Sequence, residues 1–216
     1  MNSWIDITRP IDETLVLWPG RARPRHRWEQ RIAEGAHCNA SFWELSAHSG
    51  THMDAPMHFV QHGKSIDEIS PDVFIGECQV INLGSMPMDE QTANRYAGTK
   101  RLLVRTTHSV LHADARYEQH EALITEQAAS VLLGSGLLLI GTDRLSVDDS
   151  RGQEFRLHNI LLGASCVIVE GLLLADVNEG SYLLSAVPLR FTKTEASPVR
   201  ALLKETASCV GSPIGM

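Results

Sequence analysis

Short apolar runs alternate with Gly/Pro punctuation along the whole chain, and the length and period of each run set the element it predicts. Near the amino terminus Trp4–Ile7 reads as a strand, Thr8–Pro10 as a turn, and Leu15–Trp18 as a second extended piece closed by Pro19-Gly20. Ser41–His48, which carries Phe42 and Trp43, predicts another strand, as does Cys78–Leu83. Between them Ser70-Pro71 predicts a helix start, because proline suits the first helical position. The αβ signal is clearest further on. Thr125 can cap a helix running to about Leu133, Gly136 can end it in the left-handed conformation, and Leu137–Gly141 follows as a buried strand. The pattern recurs with Phe155–Leu162 as helix, Gly163 as stop and Cys166–Glu170 as strand. Tyr182–Leu189 and Val199–Leu203 read as further strands, although Val199–Leu203 fits a terminal helix equally well. Many strands with a few helices predict an α/β fold on a mixed sheet, open or closed.

Composition narrows this picture. The 216 residues, 43% hydrophobic and 21% charged, suit one substantial core, and no repeat or Gly/Ser linker divides them, so one domain over residues 1–216 is expected. A formal charge of -7 argues against nucleic acid or an anionic membrane as partner, since both attract basic surfaces. Asp6, Arg9 and Pro10 interrupt any secretion signal, and Val131–Ile140 is broken by Gly134, Ser135 and Gly136, well short of the roughly 20 apolar residues of a membrane span. The four cysteines, Cys38, Cys78, Cys166 and Cys209, form no CxxC pair and are expected to be reduced thiols, so the expected location is the cytoplasm.

The candidate chemistry is concentrated in HSGTHMDAPMHF, where His48, His52, Asp54 and His58 fall within eleven positions. Imidazole and carboxylate both lose hydration on burial and need partners there, and a divalent cation satisfies all four. Their even parity would put them on one face of a strand, but at about 3.3 Å per residue a straight strand would separate His48 from His58 by roughly 33 Å. A helix is opposed by Gly50 and Pro56. The expected geometry is therefore a strand broken at Gly50 and again at Ala55-Pro56, curled around an ion. Nitrogen and oxygen donors without thiolate suit Zn²⁺ or Mn²⁺ in a catalytic site. Further ligands must come from elsewhere. His158, inside a predicted helix, and Glu170, at the end of an apolar strand, are candidates that pattern alone leaves open. Met53 and Met57 are expected to pack under the loop, and Asp143 to cap the turn after its strand. His26, His37, His62, His108, His112 and His120 show no spacing that asks for a role.

With these residues assembled, the chain resembles the cyclase-type metal hydrolases, most closely the bacterial kynurenine formamidases (arylformamidases). The family pattern HxGTHxDxPxHF is met from His48 to Phe59 at every fixed position. Weaker similarities follow in the family's order: Trp18-Pro-Gly20, Ile140-Gly-Thr-Asp143, His158, Val169-Glu-Gly171, Pro188-Leu-Arg-Phe191 and Ala196-Ser-Pro-Val-Arg200. The resemblance implies a compact α/β fold around a mixed, barrel-like β-sheet with flanking helices. It implies two metal ions per subunit, Zn²⁺ with Mn²⁺ as the alternative, held by His48, His52, Asp54, His158 and Glu170 with Asp54 bridging. It further implies His58 as proton donor and acceptor, Trp18 as a wall of the substrate pocket, and a homodimer or larger assembly.

The implied activity is hydrolysis of N-formyl-L-kynurenine to L-kynurenine and formate, a step of tryptophan catabolism, by a metal-activated water acting on a non-peptide C–N bond. Expulsion of an aryl amine needs a general acid, a role His58 can fill, although a role as another metal ligand stays open for the same residue. Two alternatives also remain: a hydrolase of a cyclic amide, imide or lactone, as in isatin hydrolases, and a non-catalytic metal-binding member of the family.

Overall fold

The computed structural model describes residues 3–108, 119–152 and 154–206. In chain order the strands are β1 (Ile5–Asp6), β2 (Arg25–Gln30), β3 (Ala40–Glu44), β4 (His52–Asp54), β5 (Ile75–Gly84), β6 (Arg101–Thr106), β7 (Leu139–Thr142), β8 (Val167–Glu170), β9 (Gly180–Pro188) and β10 (Ala196–Glu205). Helices α1 (Glu90–Arg95), α2 (Glu126–Gly134) and α3 (Arg156–Gly163) sit in the connections β5 to β6, β6 to β7 and β7 to β8. Those four strands run parallel in sequence order, the arrangement that crossover connections allow. β4, β9 and β10 join antiparallel. Because β9 pairs with both β5 and β10, and β10 with β4, seven strands close in the order β10-β4-β8-β7-β6-β5-β9, with β1 added along β10. Closure leaves this mixed barrel without the open edges of a flat sheet.

The strands facing the helices are buried on both sides, which explains their continuous apolar runs. Met53, Val80, Leu103, Leu139, Val167, Val169, Leu184 and Ala201 pack inside the barrel. Their neighbours Leu102, Val104, Ile140 and Ile168 point outward and form a second core with Met88, Ala128, Leu132, Leu157 and Leu161 beneath the helices. The period of two therefore assigns each position of β4 and β8 to a layer. Met53 and Val169 are interior, whereas His52, Asp54 and Glu170 share the helix-facing side with Ile168.

Local chemistry set several elements as the sequence predicts. Thr125 Oγ1 accepts the Ala128 N–H at 3.1 Å to start α2, and Gly136 follows it at φ +98°. Val199–Leu203 lies within β10 rather than a helix, since Val199, Ala201 and Leu203 alternate into the barrel. Other expectations are corrected. Ser70-Pro71 opens only a single 3-10 turn, Pro71–Val73, because the chain enters β5 at Ile75. Leu15–Trp18 is irregular, although Pro19-Gly20 does form the expected turn, closed by Arg21 N–H to Trp18 C=O at 3.1 Å. The strand in Ser41–His48 stops at Glu44 and pairs with β2 in a separate hairpin whose Trp28, Phe42 and Trp43 remain exposed. β2, β6 and α1 are elements beyond those the sequence pattern predicts. Met53 is buried as expected, but Met57 is 36% exposed. Cys38, Cys78 and Cys166 are thiols; Cys209 and His112 lie outside the described residues. Among the described residues no helix is long and apolar enough to cross a membrane.

Candidate metal centre

Gly50, at φ +66°, turns the chain into β4, and Pro56 begins a 3-10 turn, Pro56–His58, directly after it. This double break brings His48, His52, Asp54 and His58 to one side of the barrel wall, as the loop geometry required. The register His52↔Glu170 sets Glu170 beside His52, and α3 delivers His158 from above. The six predicted ligand and acid–base side chains thus converge on one cavity, of about 270 Å³, and Trp18, the predicted wall, also lines it.

Asp54 occupies the centre. It is 1% exposed, and neither carboxylate oxygen has an aligned hydrogen bond. Its Oδ1 lies 2.9 Å from His48 Nδ1 and 3.7 Å from His52 Nε2, and its Oδ2 lies 3.5 Å from His158 Nε2. Glu170 faces His52 Nε2 at 3.6 Å and His158 Nε2 at 3.4 Å. Potential ligand atoms of His52, Asp54 and Glu170 fall within 4.8 Å of one another, as do those of His48, Asp54 and His58. The two groups share Asp54. An unsatisfied, buried carboxylate ringed by imidazole nitrogens and a second acid is a donor set that fits a divalent cation.

Electrostatics give the same result. Burial alone would raise the Asp54 pKa, yet the neighbouring imidazoles of His158 and His48 hold it well below the usual carboxylate range. Burial would depress His158, but Asp148, Asp54 and Glu170 hold it well above the usual imidazole range. His48 is also raised, where Asp54 outweighs desolvation and the opposing charge of Arg21. The cluster therefore demands positive charge, which protons or a metal ion can supply. His58 differs: burial, reinforced by His48 and His158, lowers its pKa to about 4, so it is neutral at physiological pH.

The supporting shell was less legible in the sequence. His52 donates Nδ1–H to the Gly50 carbonyl at 3.1 Å, leaving Nε2 to face the acids. His158 Nδ1 is 2.5 Å from Asp148 Oδ2, and Glu170 Oε1 accepts the Val147 N–H at 2.9 Å. Beneath them Thr51 Oγ1 donates to the Gly171 carbonyl at 2.7 Å, and buried Arg9 donates to the Gly171 and Asp143 carbonyls at 3.0 and 2.9 Å. Gly171, at φ +72°, approaches so closely that a Cβ there would lie 2.6 Å from the Gly50 carbonyl oxygen. Asp143 accepts from Thr106 N–H and Oγ1, both at 2.7 Å, and so ties β7 to β6. No spacing rule links Asp148 or Arg9 to the motif; Phe59, which packs 4.7 Å from the His158 ring, could have been found as part of it.

Comparison with known proteins gives the family and the fold. The putative cyclase family matches residues 5–149. A kynurenine formamidase of Geobacillus thermodenitrificans is 34% identical over 208 residues, covering 95% of this chain and 99% of that protein. A solved structure described as a potential metal-dependent hydrolase with cyclase activity superposes with a TM-score of 0.79 at 28% identity, covering 95% of this chain and 99% of that one. An isatin hydrolase bound to the product analogue thioisatinate shares the fold, with a TM-score of 0.81 at 20% identity, covering 94% and 92% of the two chains.

Proposed function

The chain belongs to the putative cyclase family, and on that footing we propose that it is a metal-dependent amide hydrolase that cleaves the formyl C–N bond of N-formyl-L-kynurenine, releasing L-kynurenine and formate. The observation that carries the metal chemistry is Asp54, a buried carboxylate with two unsatisfied oxygens and imidazoles on both sides. Similarity to kynurenine formamidases over nearly the whole chain supports the substrate. So does the cavity, whose aromatic lining of Trp18, Phe59 and Phe155 offers flat apolar walls to an aryl ring.

His48, His52, Asp54, His158 and Glu170 would hold two Zn²⁺ ions, with Mn²⁺ the alternative, and Asp54 shared between them. When bound, such ions supply the Lewis acidity that makes a water molecule acidic enough to attack at neutral pH and that polarises the formyl oxygen. The residues of the chain do the rest. His58, neutral at rest, accepts the proton released as the water oxygen bonds to the formyl carbon. It then delivers that proton to the nitrogen as the C–N bond breaks, since an unprotonated anilide is a poor leaving group. Asp148 and the Gly50 carbonyl hold the His158 and His52 rings in the tautomers that present Nε2 to the centre.

The working unit we propose is a cytoplasmic homodimer of one-domain subunits, a state that sedimentation of the metal-loaded protein tests. The activity is tested by elemental analysis of purified protein together with an ultraviolet assay of N-formylkynurenine hydrolysis, with and without chelator. Formate release that chelation abolishes is expected. Full metal occupancy with opening of isatin and no formate released would move the substrate to cyclic amides, and full occupancy without turnover of any acyl substrate would make the protein a binding member of the family.

A further inference from the structure

We infer that Arg21 is the specificity determinant that docks a carboxylate on the far end of the substrate, so that the enzyme selects aryl formamides that carry a carboxylate over those that lack one; this rests on the formamidase reading above. The cavity has three chemically distinct regions. The cluster around Asp54 takes the reacting amide, and Trp18, Phe59 and Phe155 take the ring. The third holds one cation, Arg21, the sole Arg or Lys among the described residues lining the cavity.

Its position is built into the backbone. Pro19 and Gly20 occupy the corner of a turn, Gly20 takes φ +85°, and Arg21 N–H donates to the Trp18 carbonyl at 3.1 Å. Proline followed by a positive-φ glycine is the sequence such a corner requires, and it brings the first and fourth residues of the turn side by side. The aromatic wall and the guanidinium are therefore set together at the mouth of the cavity.

The fold makes no visible use of that charge. Arg9 is bound to the Gly171 and Asp143 carbonyls, Arg23 to those of Glu13 and Leu15, and Arg144 to that of Glu121. The Arg21 guanidinium has no ion pair or side-chain hydrogen bond among the described residues. A planar fork of donors without an internal partner, beside an aromatic face, matches a carboxylate bidentately. A carboxylate entering a cavity floored by Asp54 and Glu170 would otherwise lose hydration with nothing to replace it.

The test is steady-state kinetics of metal-loaded wild type, Arg21→Gln and Arg21→Lys on N-formylkynurenine and on formanilide, which has the same bond and no carboxylate. Arg21→Gln should raise KM for N-formylkynurenine about 10- to 100-fold, the loss of a charge-assisted contact, with kcat little changed. Activity on formanilide should stay at the wild-type level, and Arg21→Lys should recover part of the KM. Equal losses on both substrates, or no loss on either, would overturn the assignment. Wild type that releases formate from neither compound would instead remove the formamidase reading, a result separable from the first because no variant is needed to see it.

Discussion

His158 directs Nδ1 onto the Asp148 carboxylate at 2.5 Å, which leaves Nε2 to face Asp54 and Glu170 at 3.5 and 3.4 Å. The same carboxylate accepts the Leu157 and His158 backbone N–H groups at 2.7 and 3.1 Å. It therefore does the capping that Phe155, the residue before α3, has no side chain to do. One acid thus fixes both where the helix begins and which ring nitrogen it presents. Asp148→Asn should weaken metal retention about 10- to 100-fold and lower kcat with it, because the imidazole loses its orienting partner. Titration with a competing chelator, alongside turnover at saturating metal, measures both.

His58 separates two roles that its position allows. Its ring centroid is 4.4 Å from that of His48, close enough for a ligand and equally placed for proton transfer. As the acid and base, His58→Ala should keep its metal and lose turnover by about 10²- to 10⁴-fold. Metal analysis on the purified variant decides, because a ligand role predicts loss of the ion instead.

Gly171 is a backbone constraint on the centre. An added methyl group would strain a φ of +72° and drive the Cβ into the Gly50 carbonyl, prising β8 from the turn that leads into β4. Gly171→Ala should cost about 1–3 kcal/mol of stability, read from urea unfolding, and loosen the metal site in parallel. A variant as stable as wild type would show that the loop yields more easily than this contact implies.

The acid side of the stability profile should carry a contribution from His120. Burial lowers its pKa from 6.5 to about 4, while Nδ1–H donates to the Glu121 carbonyl at 3.0 Å. Between those two values the unfolded chain binds a proton that the folded protein refuses, so stability rises with pH across this window. Above pH 6.5 the group has no effect; the loss grows as pH falls and is complete below about 4, reaching on the order of 1–3 kcal/mol. Melting temperatures of wild type and His120→Gln between pH 4 and 7 should converge as the pH is lowered, and parallel curves would remove His120 from the account.

The features legible in the sequence are those whose physical cause acts over a few residues. Gly50 and Pro56 announced the breaks around β4 because their effect on φ is local, and the parity of His52 and Asp54 foretold a shared face that the barrel retains. Thr125 and Gly136 marked the limits of α2 for the same reason. Asp148 and Arg9 carried no such mark. Arg9 reaches Gly171 only once the amino-terminal segment has met β8, and Asp148 reaches His158 across the β7–α3 connection, at a spacing that is not that of a local helix cap. The β2–β3 hairpin was missed in part because RHRWEQ keeps no apolar face toward the barrel, so periodicity had nothing to detect.

The order in which the barrel closes has a consequence for synthesis. Among the described residues β4, which bears His52 and Asp54, pairs with β8 and β10, more than a hundred residues downstream. A nascent chain leaving the ribosome therefore exposes the candidate metal-binding loop long before Glu170 exists to stand opposite it. The parallel βα units can stack as they emerge, but the ring is sealed by the strand that reaches Glu205. Capture of an ion by this loop would accordingly be a late event, following the pairing of β4 with β8 and β10.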